Sequence, residues 1–234
     1  MSDFHLHLEE HMQSSDILTD IVIGMSDGLT VPFALAAGLS GAVGDHVSLI
    51  WIAGIAEVAA GSIAMGLGGY LAGKTEIDHY NSELKKEYWE LTHKREVEIQ
   101  EVRNVFLEWG LSNETAEEAT QEIIKDEKRW VEFMMKFELG LEEPDPKRAR
   151  KSAFNIGLSY VVGGMVPLTP YFFVTNSLDG LKISAVITLV CLYIFGFFKS
   201  KMTGINPWLG GIKVMFIGAV AAAAAFGIAK LIQA

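Results

Sequence analysis

The sequence predicts an all-α integral membrane protein with five transmembrane helices and a helical cytoplasmic insert between the second and third. Half of its 234 residues are hydrophobic, and the mean hydropathy is +0.27. These apolar residues fall in five long blocks, and a polar segment separates the second block from the third. A helix needs about 20 mainly apolar residues to cross a bilayer core, and each block approaches or exceeds this length.

The predicted spans cover residues 17–39, 47–73, 152–174, 181–198 and 208–232. Four regions follow from them: a polar tail (1–16), helices 1 and 2 (17–73), the insert (74–146) and helices 3 to 5 (147–234). Cytoplasmic loops are enriched in Lys and Arg, so the basic residues beside the insert and around the start of the last span predict that the N-terminus and the insert are cytoplasmic. These residues are Lys147, Arg148, Arg150, Lys151, Lys199, Lys201 and Lys213.

The net charge of −10 comes entirely from the insert. Residues 74–146 contain 20 acidic and 10 basic side chains, whereas the rest of the chain has 9 of each. An acidic surface repels the phosphate backbone of nucleic acids and attracts cations. The charge therefore argues against a nucleic-acid partner and favours a cation. Histidines at His5, His7 and His11 are interpreted as part of a polar tail rather than as a metal site.

The insert is predicted to be helical throughout. No proline or glycine occurs in 74–109, so the second span is expected to continue as one long helix until Gly110 ends it. Ser112 or Asn113 is suited to cap a second insert helix, which runs to about Leu139 before Gly140.

A stripe of carboxylates follows one face of the first insert helix. At about 100° per residue, seven glutamates fall within an arc of about 80°. Two pairs with the same spacing, Glu87 with Glu90 and Glu98 with Glu101, suit divalent ions. The alternative is a solvated face of a charged helix. The seven glutamates are Glu76, Glu83, Glu87, Glu90, Glu98, Glu101 and Glu108.

The second insert helix adds Met134, Met135 and Glu138, which point in roughly the same direction on a helix. Beside a carboxylate, thioethers favour a transition metal over Ca²⁺ or Mg²⁺. Adjacent methionines also commonly fill hydrophobic cores, which is the alternative.

Two acids lie inside predicted spans. Asp27 is in the first, which contains no Lys or Arg, so its expected partner is a proton or a metal ion. Glu57 is in the second, with Met65 near the same helix face. Pro32 is expected to bend the first span one turn beyond Asp27. Asp20 is expected at the membrane interface.

Three runs of sequence resemble the vacuolar iron transporter family, and the resemblance extends over the whole chain. They are SDGLTVPFALAAGLSG (26–41), GIAEVAAGSIAMGLGGYLAGKTE (54–76) and GGMVPLTPY (163–171). The resemblance implies a homodimeric secondary active transporter, not an enzyme, that exchanges cytosolic Fe²⁺ for protons without a prosthetic group. It implies a vacuolar membrane in a plant or fungus and the inner membrane in a prokaryote.

The resemblance also implies roles for particular residues. Asp27, Glu57 and Met65 would line the transport route at the dimer interface. The insert would be a metal-binding domain for Fe²⁺ and for other divalent ions (Mn²⁺, Co²⁺, Ni²⁺, Zn²⁺). Its expected ligands are Glu87, Glu90, Glu98, Glu101, Met134, Met135 and Glu138.

Two other functions are compatible with parts of this pattern. A membrane-anchored ferritin-like iron oxidase or sensor would use the insert carboxylates, but both pairs are Glu-x-x-Glu rather than the Glu-x-x-His of di-iron bundles. A metal-independent membrane scaffold would leave Asp27 and Glu57 unexplained. Carboxylate and thioether ligands bind several divalent ions, so the sequence leaves the physiological metal open.

Overall fold

The computed structural model describes residues 16–44 and 46–233, and the predicted tail histidines His5, His7 and His11 lie outside this part. All regular structure in the described part is helical, which confirms the predicted all-α class. Contacts divide the chain into two compact units. The first unit combines the described residues of Met1–Tyr70 with Arg150–Ala234, and the second unit is Leu71–Ala149.

Eight α-helices cover most of the described residues: α1 (Asp16–Ala42), α2 (Val47–His93), α3 (Arg95–Glu108), α4 (Asn113–Ile123), α5 (Glu127–Phe133), α6 (Arg148–Leu168), α7 (Ser177–Met202) and α8 (Pro207–Gln233). A π-helical turn, Met134–Glu138, follows α5, and a 3₁₀ turn, Thr169–Phe172, follows α6.

Within the described residues, four helices are long and apolar enough to cross a membrane: α1, α2, α7 and α8. The third predicted span corresponds to α6, which has 21 residues but is less apolar. Its first turn is basic, with Arg148, Arg150 and Lys151, and small or polar residues follow. The five-span count therefore stays a prediction.

Close contacts in the first unit join α6 to α1 and α2. A Cβ atom on Gly24 of α1 would lie 2.3 Å from the carbonyl oxygen of Ile156, and one on Gly66 of α2 would lie 2.9 Å from that of Ala153. The absence of side chains at these positions lets α1 and α2 pack directly on the backbone of α6. One face of α6 is thus covered by α1 and α2.

The rest of the first unit is built on α1. This helix continues through Pro32, and it packs against α7 and α8, which also pack against each other. Phe33 and Ala37 of α1 and Ala222 of α8 form a buried cluster. A second buried cluster brings Ala36 of α1 together with Leu168 at the end of α6.

The continuous helix predicted over 74–109 is wrong at Lys94. The backbone of Lys94 has φ −131° and ψ 31°, so α2 ends at His93 and a separate helix, α3, begins at Arg95. Leu91 of α2 and Val102 of α3 lie on either side of the break and belong to the same hydrophobic core. Apolar burial outweighs the loss of helical hydrogen bonds at a single position.

The second insert helix is also divided. Ser112 caps α4 as predicted, since its Oγ accepts a hydrogen bond from the amide of Thr115 at 3.2 Å. Asp126 then starts α5, because its Oδ1 accepts a bond from the amide of Arg129 at 2.8 Å. An Asp side chain that bonds nearby amides competes with helix continuation, so one predicted helix becomes two.

The predicted glycine stops are confirmed. Gly110 has φ +86° and Gly140 has φ +65°, a left-handed conformation that residues with a Cβ rarely adopt. Each follows the end of a helical segment of the second unit.

Candidate metal-binding and intramembrane sites

Asp27 lies on the face of α1 that contacts α6. It is half-buried and directly precedes Gly28, where a Cβ atom would lie 2.4 Å from the carbonyl oxygen of Tyr160. Asp27 is therefore next in sequence to the point where the backbones of α1 and α6 are in direct contact. The close packing of helices here holds the carboxylate in an otherwise apolar segment of α1.

Glu57 contacts Tyr160 directly. The Tyr160 hydroxyl donates a hydrogen bond to Oε1 of Glu57, while Oε2 is buried and has no partner among the described residues. Glu57 also borders an apolar groove of about 580 Å³ lined mainly by α1 and α8, including Ala34 and Ala225. A carboxylate oxygen in such surroundings is costly unless a proton or a cation satisfies it.

Met65 is half-buried on α2, two helical turns or about 12 Å beyond Glu57. Its thioether is a soft, polarisable group on the helix that carries the acid. Tyr160 thus bonds Glu57 and packs through its backbone on Gly28, the neighbour of Asp27, whereas Met65 lies farther along α2.

Two polar features of this region were not predicted from the sequence: the burial of Asp20 and the contacts of Tyr160. Asp20 is only 1% exposed, so it is buried within the protein, and its expected depth at the membrane interface stays a prediction. Its oxygens accept hydrogen bonds from Ser152 Oγ at 2.9 Å and from Asn155 Nδ2 at 3.4 Å, and these donors on α6 offset the loss of hydration. The recurrence of Asp20, Gly24 and Asp27 at helical spacing is a signal that could have placed Asp20 on the packed face of α1. No local pattern identifies Tyr160.

In the second unit, Glu87 and Glu98 are buried acids. They are 2% and 3% exposed, and Oε2 of each has no hydrogen-bond partner within the described part of the chain. Burial first, and then the charge of Glu138, raises the pKa of Glu87 to about 7. Burial, followed by the charges of Glu101 and Glu87, raises the pKa of Glu98 to about 7.

The other predicted carboxylates surround this pair. Burial and the charges of Glu101 and Glu90 raise the pKa of Glu138. Glu101 and Glu138 line a cleft of about 300 Å³. Glu90 is neutralised in part by Lys94 at 2.7 Å and by Lys86 at 3.9 Å. The break at Lys94 thus brings glutamates from α2, α3 and the π-helical turn into electrostatic contact.

Met134 and Met135 occupy a different environment. They are 0% and 1% exposed and belong to the hydrophobic core of the second unit, with Trp130 and Val102. The π-helical turn begins at Met134, where the amide of Leu139 bonds to its carbonyl at 3.1 Å. Single π-helical turns often occur at functional sites. Both methionines contribute to core packing, and ligation by their sulfurs stays a prediction.

The acidic cluster is not a ready-made metal site. In the described part of the chain, no three His, Cys, Asp or Glu side chains come close enough together to hold a metal ion. The glutamates repel one another and interact over longer distances, so side-chain movement would be needed to coordinate an ion. The predicted ligand set therefore remains a prediction.

Comparison with known proteins identifies the family. The VIT family matches residues 18–230 of the chain. Vacuolar iron transporter 1 of Tulipa gesneriana is 51% identical over 227 residues, which cover 97% of this chain and 92% of the relative. Vacuolar iron transporter 1 of Arabidopsis thaliana is 50% identical, with 97% and 90% covered. Protein CCC1 of Saccharomyces cerevisiae is 39% identical, with 92% and 69% covered.

These matches include both units, so the similarity is not confined to the apolar helices. The family predicted from the three sequence runs is thereby confirmed. From within α1 to within α8, this chain belongs to the VIT family.

Proposed function

We propose that this chain is a secondary active transporter that moves Fe²⁺, with Mn²⁺ as a second cargo, out of the cytoplasm in exchange for protons. The observation that carries the proposal is the 50–51% identity over 97% of the chain to two plant proteins named vacuolar iron transporter. The same similarity supports a vacuolar membrane as the location. The charge of the insert supports a cationic cargo.

The proposed transport route contains Asp27, Glu57 and Met65. Two acids in apolar helices support it, since a buried carboxylate binds either a proton or a cation. The unpartnered Oε2 of Glu57 supports it further. Competition between proton and metal for the same oxygens would couple the two fluxes without ATP.

We propose five transmembrane helices, with α6 as the third, and a cytoplasmic second unit. The length of α6 and its close packing on α1 and α2 support its inclusion. A homodimer is also proposed, on family membership alone. The second unit would capture metal ions through its glutamates, with Met134 and Met135 as soft ligands.

Purified protein in liposomes with an acidic interior tests the transport proposal. Fe²⁺, kept reduced without oxygen, would enter the vesicles and quench an internal metal-sensitive dye. Uptake should be faster with the proton gradient than after its collapse by an ionophore. Uptake unaffected by the gradient would exclude proton exchange.

Asp27→Asn tests the route with little change in side-chain volume. The variant should lose most metal uptake while retaining the folded state, measured by thermal melting. Asp179→Asn is the matched control, because Asp179 is exposed in the first turn of α7. Normal uptake by Asp27→Asn would overturn the proposed route. Catalytic oxidation of Fe²⁺ without uptake would instead support the oxidase alternative.

A further inference from the structure

Tyr160 of α6 packs against both α1 and α2 and makes a polar contact with α2. It is 2% exposed, and its hydroxyl donates to Oε1 of Glu57. Its partner has one oxygen engaged and the other, Oε2, buried without a hydrogen bond among the described residues. The two oxygens of Glu57 therefore differ in hydrogen bonding: Oε1 accepts a bond, and Oε2 is available to a ligand.

Two glycines fix where the Tyr160 hydroxyl lies. A Cβ atom on Gly28 of α1 would lie 2.4 Å from the Tyr160 carbonyl oxygen, so α1 packs directly on the tyrosine backbone. A Cβ atom on Gly61 of α2 would lie 2.5 Å from the Tyr160 hydroxyl oxygen. Gly61 is one turn beyond Glu57 on the same helix. The space for the ring is thus set by α1 and α2 together.

The arrangement has a chemical consequence for Glu57. A phenol hydroxyl contributes one donor and no charge at neutral pH, so it satisfies one carboxylate oxygen without neutralising the group. The second oxygen still lacks a partner, and an unsatisfied buried acceptor is costly. Only a proton or a cation would supply both a partner and the missing positive charge.

We infer that Tyr160 is a positioning residue that fixes one oxygen of Glu57 so that the other is presented to the transported cation or proton. This inference rests on the proposed transport function. Tyr160 acts through Glu57 and has no assigned contact with the cargo. Its loss should therefore weaken cation binding during transport more than it slows the maximal rate.

Tyr160→Phe tests this by removing only the hydroxyl. In the liposome assay, the KM for Fe²⁺ should rise about tenfold, as expected for the loss of a hydrogen bond to a charged group, with a much smaller fall in kcat. Tyr171→Phe is the matched control. Tyr171 is 1% exposed and its hydroxyl is 2.9 Å from Ser40 Oγ, so that variant also loses a buried hydrogen bond, but one to a neutral partner.

Gly61→Ala provides an independent test, since its new methyl group would displace the Tyr160 hydroxyl. It should reproduce the rise in KM, and adding it to Tyr160→Phe should raise KM little further. Gly227→Ala in α8 is the control, because a Cβ there would have no neighbour within 4 Å.

The outcomes separate the two proposals. If the unmodified protein transports Fe²⁺ and Tyr160→Phe has the same KM, or if Tyr171→Phe shows the same rise, the role of Tyr160 is overturned and transport stands. If the unmodified protein transports no metal, the proposed function fails and the role of Tyr160 fails with it.

Discussion

Oε2 of Glu87 and Oε2 of Glu98 are both buried without a hydrogen-bond partner in the described chain, although the residues belong to different helices, α2 and α3. Burial is the main reason that the pKa of each is raised to about 7. Near neutral pH, these side chains therefore bind protons that ordinary glutamates release. Both the stability of the second unit and its affinity for metal should depend on pH as a result.

The metal-free protein should become less stable as the pH rises from about 5 to about 7. A raised carboxyl pKa means that the folded state holds protons more tightly than the unfolded state. The stabilisation is full below the ordinary pKa of 4.5 and is lost as the pH approaches about 7. Thermal melting of the purified protein in detergent across this range measures the effect.

In the Glu87→Gln variant, the melting temperature should fall less as the pH rises from about 5 to about 7, because an amide does not ionise. Glu96→Gln is the control, since Glu96 is exposed on α3. A melting temperature that increases over the same pH range would contradict the burial of these acids.

Metal affinity of the second unit should rise with pH over the same range. Bound cations must displace the protons of Glu87 and Glu98, so each displaced proton changes the apparent affinity by up to about tenfold per pH unit. Titration calorimetry of the full chain with Mn²⁺ at several pH values measures this. Glu98→Gln should weaken Mn²⁺ binding and reduce the number of protons released, whereas the control Glu96→Gln should do neither. If the two variants have equal effects, Glu98 is not a metal ligand.

Met135 has two predicted roles that different substitutions separate. Met135→Ala should lower the free energy of unfolding by about 2–5 kcal/mol, because the side chain is 1% exposed in the core. Met135→Leu conserves volume and should cost less than about 1.5 kcal/mol. If the sulfur also binds metal, Met135→Leu will weaken Zn²⁺ and Co²⁺ binding more than Mn²⁺ binding. Unchanged affinity for all three ions would show that Met135 contributes to core packing and not to metal binding.

Gly24→Ala should destabilise the first unit by about 1–3 kcal/mol, because its methyl group would overlap the backbone of Ile156. Gly68→Ala on α2 is the control. A Cβ at Gly68 would have no neighbour within 4 Å, so that change should be neutral or slightly stabilising through helix propensity. Thermal melting in detergent compares the two, and equal melting temperatures would argue against direct packing of α1 on α6.

Several features of the fold were predictable because they depend on neighbouring residues. Ser112 caps a helix, and Gly110 and Gly140 end helical segments, through interactions within a few positions of each residue. The breaks at Lys94 and before Asp126 were not predicted. Nothing in the helix propensity of 74–109 requires a break at Lys94. The hydrophobic core next to the break is assembled from residues that are far apart in sequence, from Leu91 to Met135.

The candidate sites divide in the same way. Asp27 and Glu57 stand out in apolar runs, so hydropathy alone identifies them as acids that need a partner. Tyr160 and the burial of Asp20 could not be derived in this manner, because each depends on α6, more than 100 residues farther along the chain than the acid concerned.

The sequence by itself determined the helical class, the family, the acidic insert and the identity of the intramembrane acids, because composition and local periodicity carry that information. Only the tertiary structure decided which oxygen of Glu57 is engaged, which acids are buried, and that Glu87 and Glu98 share one cluster. The physical reason is that burial and hydrogen bonding depend on what other helices bring to a residue. Neither quantity is set by its neighbours in sequence.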